Sequence, residues 1–230
     1  MNLSIRSYKK ELLDGNDIPF ADIRQNMKEL DFINTWLGGH VITIQGFKQL
    51  VQNRKEIKVC EIGCGGGDNL LAIYNWCHKN KVIVRLTGID YNKDCISIAR
   101  GQLPAPGTQF ITADYKTVDW GDDKPDIIFS SLFCHHFTNE EIVHMLNWMR
   151  TNAGLGFFIN DLHRHFLAYY SIKILTGLFS KSYLVKNDAP LSVQRGFIKK
   201  EWEDLMQKSA IDNYSIQWKW AFRWLITGRL

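Results

Sequence analysis

The sequence predicts an α/β domain with a mostly parallel seven-stranded sheet, helices on both faces and an antiparallel hairpin at its carboxyl end. Three observations support this prediction. Short runs rich in Val, Ile and Phe alternate with helical patterns from residue 57 to residue 160, which is typical of parallel strands joined by right-handed helical crossovers. A glycine-rich turn follows the first of these runs, and only Trp220 and Ala221 separate the last two, as in a hairpin.

The elements can be placed in chain order from their hydrophobic periodicity. Apolar residues at spacings of three and four predict an amphipathic helix over residues 19–37, which Gly38 and Gly39 end. The predicted elements that follow are a helix over about 40–53, strand 57–62, helix 68–79, strand 82–89, helix 93–103, strands 108–112 and 125–131, helix 138–151, strand 155–160, helix 198–209, and the hairpin strands 214–219 and 222–227.

The composition favours a cytoplasmic protein. A net charge of +4 without a run of basic residues does not require nucleic acid, and none is expected as a partner. Five cysteines without a C-x-x-C pair argue against disulfides and a zinc site. The amino terminus lacks the apolar stretch of a signal peptide. The longest apolar stretch, 166–179, is too short to span a bilayer, so we expect no transmembrane segment, and a monomer or homodimer.

The glycine-rich turn indicates a ligand-binding loop. Gly63, Gly65 and Gly67 alternate directly after Glu61, and glycine lets a backbone approach a ligand closely. A dinucleotide site would need a further glycine where Asp68 stands. Because a carboxylate there repels a pyrophosphate, the loop favours a ligand whose near end is cationic or neutral. The alternative is a tight turn that binds nothing.

Polar residues also follow the next three strands, where ligands of open α/β sheets bind. Asp90 comes a little over twenty residues after the loop, where a carboxylate could accept both hydroxyls of a ribose. Asp114 could accept an adenine amino group, and backbone carbonyls at Ser130 and Ser131 could face an ammonium.

The pattern Glu61-x-Gly63-x-Gly65-x-Gly67, joined by Asp90 and Asp114, resembles that of class I S-adenosylmethionine (SAM) dependent methyltransferases. The resemblance implies a Rossmann-like methyltransferase fold with SAM as cofactor. Segments 34–40, 160–165 and 192–197 look like a bacterial subgroup of small-molecule methyltransferases often linked with polyketide or quinone-type products. The expected cofactor-binding residues are Glu61, Gly63, Cys64, Gly65, Gly67, Asp90, Tyr91, Asp114, Tyr115, Ser130 and Ser131.

At 230 residues and 45% hydrophobic content, the chain can form one domain over residues 1–230. We divide it into an N-terminal helical cap (1–53), a cofactor-binding core (54–161), a lid (162–197), and a last helix with the closing hairpin (198–230). A minimal doubly wound domain does not need the lid.

Methyl transfer to a hydroxyl group needs a proton acceptor near the methyl group. The candidates are Asp161, His135, His136 and His163. Asp161 ends an apolar strand, where partial burial would raise its pKa toward that of a useful base. Alternatively, one ring of the His pair packs under the adenosine and the other caps the next helix. The strand ends offer too few oxygen ligands for a metal-assisted mechanism, so no metal is predicted.

The lid is rich in aromatic residues: Phe166, Tyr169, Tyr170, Phe179 and Tyr183. They predict an apolar pocket for the acceptor, although a helix that merely packs on the core is the alternative. The predicted function is SAM-dependent methylation of a hydrophobic small molecule, at a phenol or hydroxyl. The alternatives are methylation of a protein or RNA, and a binding module without turnover. A nicotinamide-dependent oxidoreductase is a further alternative, which Asp68 disfavours.

Overall fold

The computed structural model describes residues 3–15 and 17–230. Its helices and strands are, in chain order, α1 (Phe20–Trp36), α2 (Gly39–Val51), β1 (Glu56–Ile62), α3 (Asp68–Lys79), β2 (Ile83–Asp90), α4 (Lys93–Gln102), β3 (Thr108–Thr112), β4 (Ile127–Ser131), α5 (Asn139–Asn152), β5 (Gly156–Leu162), α6 (Phe166–Phe179), α7 (Tyr183–Arg195), α8 (Lys199–Lys208), β6 (Tyr214–Lys219) and β7 (Arg223–Arg229). Three single 3-10 turns lie at Leu12–Asp14, Tyr115–Thr117 and Cys134–His136.

The seven strands form one sheet in the order β3-β2-β1-β4-β5-β7-β6. Strands β1 to β5 pair in parallel, and β7 pairs antiparallel with both β5 and β6. The predicted fold class is therefore confirmed, including the closing hairpin. The chain order reverses between β1 and β4, and this switch point opens a crevice at the carboxyl ends of the strands.

Each face of the sheet carries its own apolar layer. Successive strand residues point to opposite faces, so Phe158 packs with Phe47 of α2 while Phe157 packs with Trp202 of α8. All four side chains are fully buried. Strands β4 and β5 are buried on both faces, which is why they begin with continuous apolar runs, 127–129 and 157–159, rather than alternating.

Local sequence signals set the ends of several helices. Thr138 caps α5 and exchanges hydrogen bonds with Glu141, a capping box. Asn92 caps α4 by accepting from the amides of Asp94 and Cys95. These short polar side chains satisfy amides that have no partner inside the helix, so both helices begin where the sequence predicts.

The lid differs in detail from the prediction. It contains two helices packed on each other, α6 and α7, because Ser182 accepts from the amide of Val185 and starts a second helix. The turn between them is tied to α1 through Glu29, whose carboxylate accepts from the backbone amides of Lys181 and Ser182. No helix of the described residues has the length and apolar character needed to cross a membrane.

Candidate active site

A cavity of about 1330 Å³ lies at the carboxyl ends of the parallel strands. The glycine loop after β1, helix α1, the lid and residues 8–15 all contribute to its wall. This is the place where the topology predicts a ligand.

The loop after β1 needs glycine for its conformation. Gly63, Gly65 and Gly67 have φ of 67°, 51° and 80°, in the left-handed region that favours glycine. Gly63 and Gly65 line the cavity. Gly67 does not, and a Cβ there would lie 3.2 Å from Cβ of Ala99. Gly67 therefore has a packing role rather than the predicted contact with the cofactor, since its lack of a side chain lets α3 approach α4.

Glu61 supplies a buried carboxylate at the start of this loop. Its side chain lines the cavity although the residue is only 1% exposed, and Oε2 has no hydrogen-bond partner. Burial, and then the charges of Asp68 and Asp90, raise its pKa well above the usual value. A carboxylate oxygen without a partner in such a place needs a cation, and the ammonium group of SAM fits that requirement.

Asp90 and Asp114 stand at the ends of β2 and β3, and both line the cavity. The Asp90 carboxylate accepts from the amides of Gly65 and Asn92, each at 2.8 Å, and burial raises its pKa. Asp114 is exposed and accepts from the amide of Lys116 at 3.0 Å. Each carboxylate oxygen has a further lone pair for a ligand hydroxyl or amino group.

Among the other predicted cofactor-binding residues, Cys64, Tyr91 and Ser131 line the cavity, whereas Tyr115 and Ser130 do not. Tyr115 turns into the core and packs edge-on against Trp148. Ser130 points to the opposite face of β4 from Ser131, because side chains alternate along a strand, and its hydroxyl lies 3.4 Å from Sγ of Cys134.

His135 is held between two carboxylates. Its Nδ1 lies 2.8 Å from Oδ1 of Asp161, and its Nε2 lies 3.6 Å from Oε1 of Glu11. The residue lines the cavity and is 3% exposed. Burial lowers the pKa of this imidazole, but the charges and hydrogen bonds of Asp161 and Glu11 outweigh burial and raise it to about 9.

Asp161 does not act as the sequence predicts. It is fully buried, does not line the cavity, and also accepts from the backbone amides of His135 and Leu162. Burial raises its pKa, as expected, yet the paired His135 overcomes that effect and the net pKa is lowered. Its place is behind the imidazole, as a positioning residue.

His136 is the second imidazole of the cavity wall. Its Nδ1 lies 3.2 Å from Oδ1 of Asp14, and its Nε2 lies 3.7 Å from Oε2 of Glu11. The fourth candidate, His163, lies outside the cavity wall and accepts from the indole of Trp218 at 3.2 Å. Burial, His165 and Arg164 lower its pKa to about 4, so the prediction of a catalytic role for His163 has no geometric support. We call Glu11, Asp14, His135, His136 and Asp161 the histidine cluster.

Glu11 and Asp14 are functional candidates that the sequence analysis missed. They belong to a segment, residues 3–15, that crosses the molecule to reach the site. Arg6 donates to the carbonyls of Arg195 and Phe137 at 3.0 and 2.9 Å, and Asp188 accepts from the amides of Leu12 and Leu13. In the sequence, these two carboxylates stand three residues apart and flank two leucines. That pattern alone does not indicate where in the fold the carboxylates lie.

The lid contributes an apolar surface to the wall. Ala168, Ile172 and Leu175 share one face of α6 and line the cavity, as do apolar residues of α1. The aromatic residues predicted to form this wall do not: none of the five lines the cavity, and Phe166, Tyr170, Phe179 and Tyr183 are more than half exposed. The surface that α6 gives to the cavity is thus aliphatic.

Comparisons with known proteins concern the domain and the fold. The sequence model of the methyltransferase domain family matches residues 59–152, which include the glycine loop, Asp90 and Asp114. No curated protein sequence matches the chain.

Three solved structures with the same fold are informative. The plantazolicin methyltransferase BpumL with bound SAH has a TM-score of 0.65 and 19% identity, covering 91% of this chain and 89% of that one. A SAM-dependent methyltransferase from Aquifex aeolicus has a TM-score of 0.64 and 13% identity, with 93% and 99% covered. Magnesium protoporphyrin IX methyltransferase from Synechocystis PCC 6803, also with SAH, has a TM-score of 0.52 and 16% identity, with 94% and 89% covered.

Proposed function

We propose that this chain is a class I SAM-dependent methyltransferase that methylates a hydroxyl or phenol group of a hydrophobic small molecule. Its matched methyltransferase domain and its fold support the first part of the proposal. The observation that carries the proposal is a single cavity whose wall includes the acidic strand ends, the histidine cluster and the aliphatic face of α6. A cofactor, a polar reaction site and an apolar acceptor can therefore share one cavity.

The acidic strand ends would hold the cofactor. Glu61 would face its ammonium group, Asp90 its ribose hydroxyls and Asp114 its adenine amino group, while Gly63 and Gly65 leave room for close approach. When bound, SAM supplies a methyl group activated by its sulfonium. The protein then has to place the acceptor oxygen in line with that methyl group and exclude water.

The histidine cluster would receive the acceptor hydroxyl. As the oxygen–methyl bond forms and the sulfur–methyl bond breaks, the hydroxyl proton has to leave. Glu11, Asp14, His135 and His136 are the members of the cluster that combine a titratable group with a place on the cavity wall. Asp161 keeps the His135 ring in a fixed orientation through Nδ1.

The wall of the cavity favours a small acceptor over a macromolecule. Residues 8–15 and the lid both contribute to this wall, and a segment of protein or RNA would have to fit between them. Two of the similar structures are methyltransferases for plantazolicin and for magnesium protoporphyrin IX. Both are consistent with this choice.

Two measurements test the proposal in sequence. Calorimetry with SAH should show one site per chain, and its absence would refute the cofactor assignment. Incubation with methyl-labelled SAM and an extract of the producing cells should then place the label in the organic small-molecule fraction. Label in protein or RNA would instead support the macromolecular alternative. The Asp90→Asn variant should reduce both signals, whereas Asp119→Asn, outside the cavity wall, should leave both unchanged.

A further inference from the structure

We propose that Glu11, His135 and His136 bind one divalent first-row transition-metal ion, of the class of Zn²⁺, Mn²⁺ or Fe²⁺, at the wall of the cavity. The ligand atoms would be the Nε2 atoms of both imidazoles and the carboxylate of Glu11. The binding site stands on its own geometry, and only the role given to the ion below rests on the proposed function.

The spacing of these atoms leaves room for an ion. The two Nε2 atoms lie 3.6 and 3.7 Å from the carboxylate oxygens of Glu11, and all three groups present ligand atoms within 4.8 Å of one another. Both separations exceed the length of an ordinary hydrogen bond, about 3.2 Å at most. Two ligands that each lie about 2.1 Å from a tetrahedral ion are about 3.4 Å apart, close to the observed spacing.

The other nitrogen of each ring is already held. Asp161 contacts Nδ1 of His135 at 2.8 Å, and Asp14 contacts Nδ1 of His136 at 3.2 Å. Metal-binding histidines usually donate their second N–H to a carboxylate in this way, which fixes the tautomer and turns the lone pair of Nε2 toward the metal. Here both histidines have such a partner, and both Nε2 atoms face the same carboxylate.

The donor set indicates the class of ion. Two imidazole nitrogens and a carboxylate favour zinc, manganese or iron, whereas magnesium and calcium prefer oxygen ligands. A second group of possible ligands, Asp31, His40 and Asp68, differs in a way that matters. There the Nε2 atom of the single histidine already lies 2.8 Å from the carboxylate of Asp68, so a direct hydrogen bond takes the place of the ion.

The ion would face the cavity with free coordination positions, because the three residues supply only part of a coordination sphere. An acceptor hydroxyl bound there would have a lowered pKa, since a metal ion stabilises the oxyanion. On the proposed function, the hydroxyl proton would leave to bulk water, because the ion occupies the lone pairs of both imidazoles, and the acceptor oxyanion would lie beside the cofactor.

The test uses the full chain without an affinity tag, stripped of metal. Titration with Zn²⁺ and with Co²⁺, whose visible spectrum reports its coordination, should show one site that Mg²⁺ does not fill. His136→Gln and Glu11→Gln should weaken binding at least tenfold, and Asp14→Asn about 10–100-fold, the usual effect of losing the carboxylate behind a ligand. His40→Gln tests the second group, and the exposed His144→Gln is the matched surface control. Both should bind as the wild type does.

The outcomes separate the possibilities. The proposal is overturned if the wild type binds neither ion, if His136→Gln binds as tightly as the wild type, or if His40→Gln abolishes binding. Thermal unfolding and SAH titration of each variant show whether it is folded. His136, whose side chain is 21% exposed, gives a usable variant even if Glu11→Gln does not fold. Metal binding without any methyl transfer would refute the proposed function and leave the metal site standing.

Discussion

Replacing Glu61 by glutamine should move stability and cofactor affinity in opposite directions. The substitution keeps the shape of the side chain and removes its ability to ionise. In the protein without cofactor, ionisation of this buried carboxyl is unfavourable, because one oxygen has no partner among the described residues and Asp68 and Asp90 repel the charge. Relief of an unsatisfied buried group contributes about 1–2 kcal/mol. For a chain of this size, each kcal/mol raises the unfolding temperature by about 2–4 °C.

The pH dependence of stability follows from the raised pKa. Below pH of about 4.5 the carboxyl group is protonated in both states, and its ionisation costs nothing. Above that pH the unfolded chain releases the proton while the folded chain retains it, so wild-type stability falls as pH rises toward the folded pKa. The Glu61→Gln variant cannot lose a proton there, and its advantage over wild type should grow from about pH 4.5 upward.

Cofactor affinity should fall in the same variant. A hydrogen bond between charged groups contributes about 1.5–3 kcal/mol, so the dissociation constant for SAH should rise roughly 10–150-fold. 5′-Methylthioadenosine lacks the ammonium group, and its affinity should stay unchanged. Calorimetry with both ligands isolates the contact from general damage to the pocket.

Glu56→Gln is the matched control, because Glu56 starts the same strand β1 but is exposed. It should alter neither quantity. The proposed role of Glu61 is refuted if Glu61→Gln binds SAH as tightly as the wild type, or if the variant without ligand is less stable than the wild type. The first result would remove Glu61 from the ammonium site, and the second would mean that the buried carboxylate has a partner.

Three further substitutions or titrations probe other parts of the fold. Gly63→Ala should abolish SAH binding, because φ is 67° and a Cβ would overlap the ring of Phe133. Gly101 has open space around it, so the control variant Gly101→Ala should bind SAH normally and gain roughly 0.5 kcal/mol of stability. Arg164→Met should lower the free energy of unfolding by about 3 kcal/mol in denaturant titration, since it breaks a two-bond pair to a glutamate that is itself a quarter exposed. Proton NMR should find the pKa of His163 near 4. Because the folded state disfavours the charged ring, the stability of the protein should decline as pH falls from about 6.5 toward that value. A normal pKa would show that the ring is solvated.

The strands and helices of the core were predictable because each carries a local signal. Strands β4 and β5 begin with continuous apolar runs, and Thr138 with Glu141 marks the start of α5. The glycine loop was predictable for the same reason, since alternating glycines indicate a backbone with positive φ angles. Predicted and observed ends differ by about two residues, the usual margin for such boundaries.

The lid and the proton chemistry were less predictable because both depend on distant residues. A helix that is apolar all round does not reveal which side it buries, and α6 turns Ala168 inward while leaving Phe179 exposed. The pKa of Asp161 depends on His135, which stands 26 positions earlier in the chain and joins it only through the pairing of β4 with β5. Burial alone predicts a raised pKa for Asp161, whereas the pKa is lowered.

Residues 3–15 join the cavity wall through partners that lie far along the chain. The carbonyl of Arg195 accepts from Arg6, and Asp188 accepts from the amides of Leu12 and Leu13. Contacts between residues so far apart in sequence must overcome the entropy of closing a long loop before they stabilise the fold. We therefore expect this segment to dock after the sheet has formed, so that Glu11 reaches the two histidines only when α7 is in place.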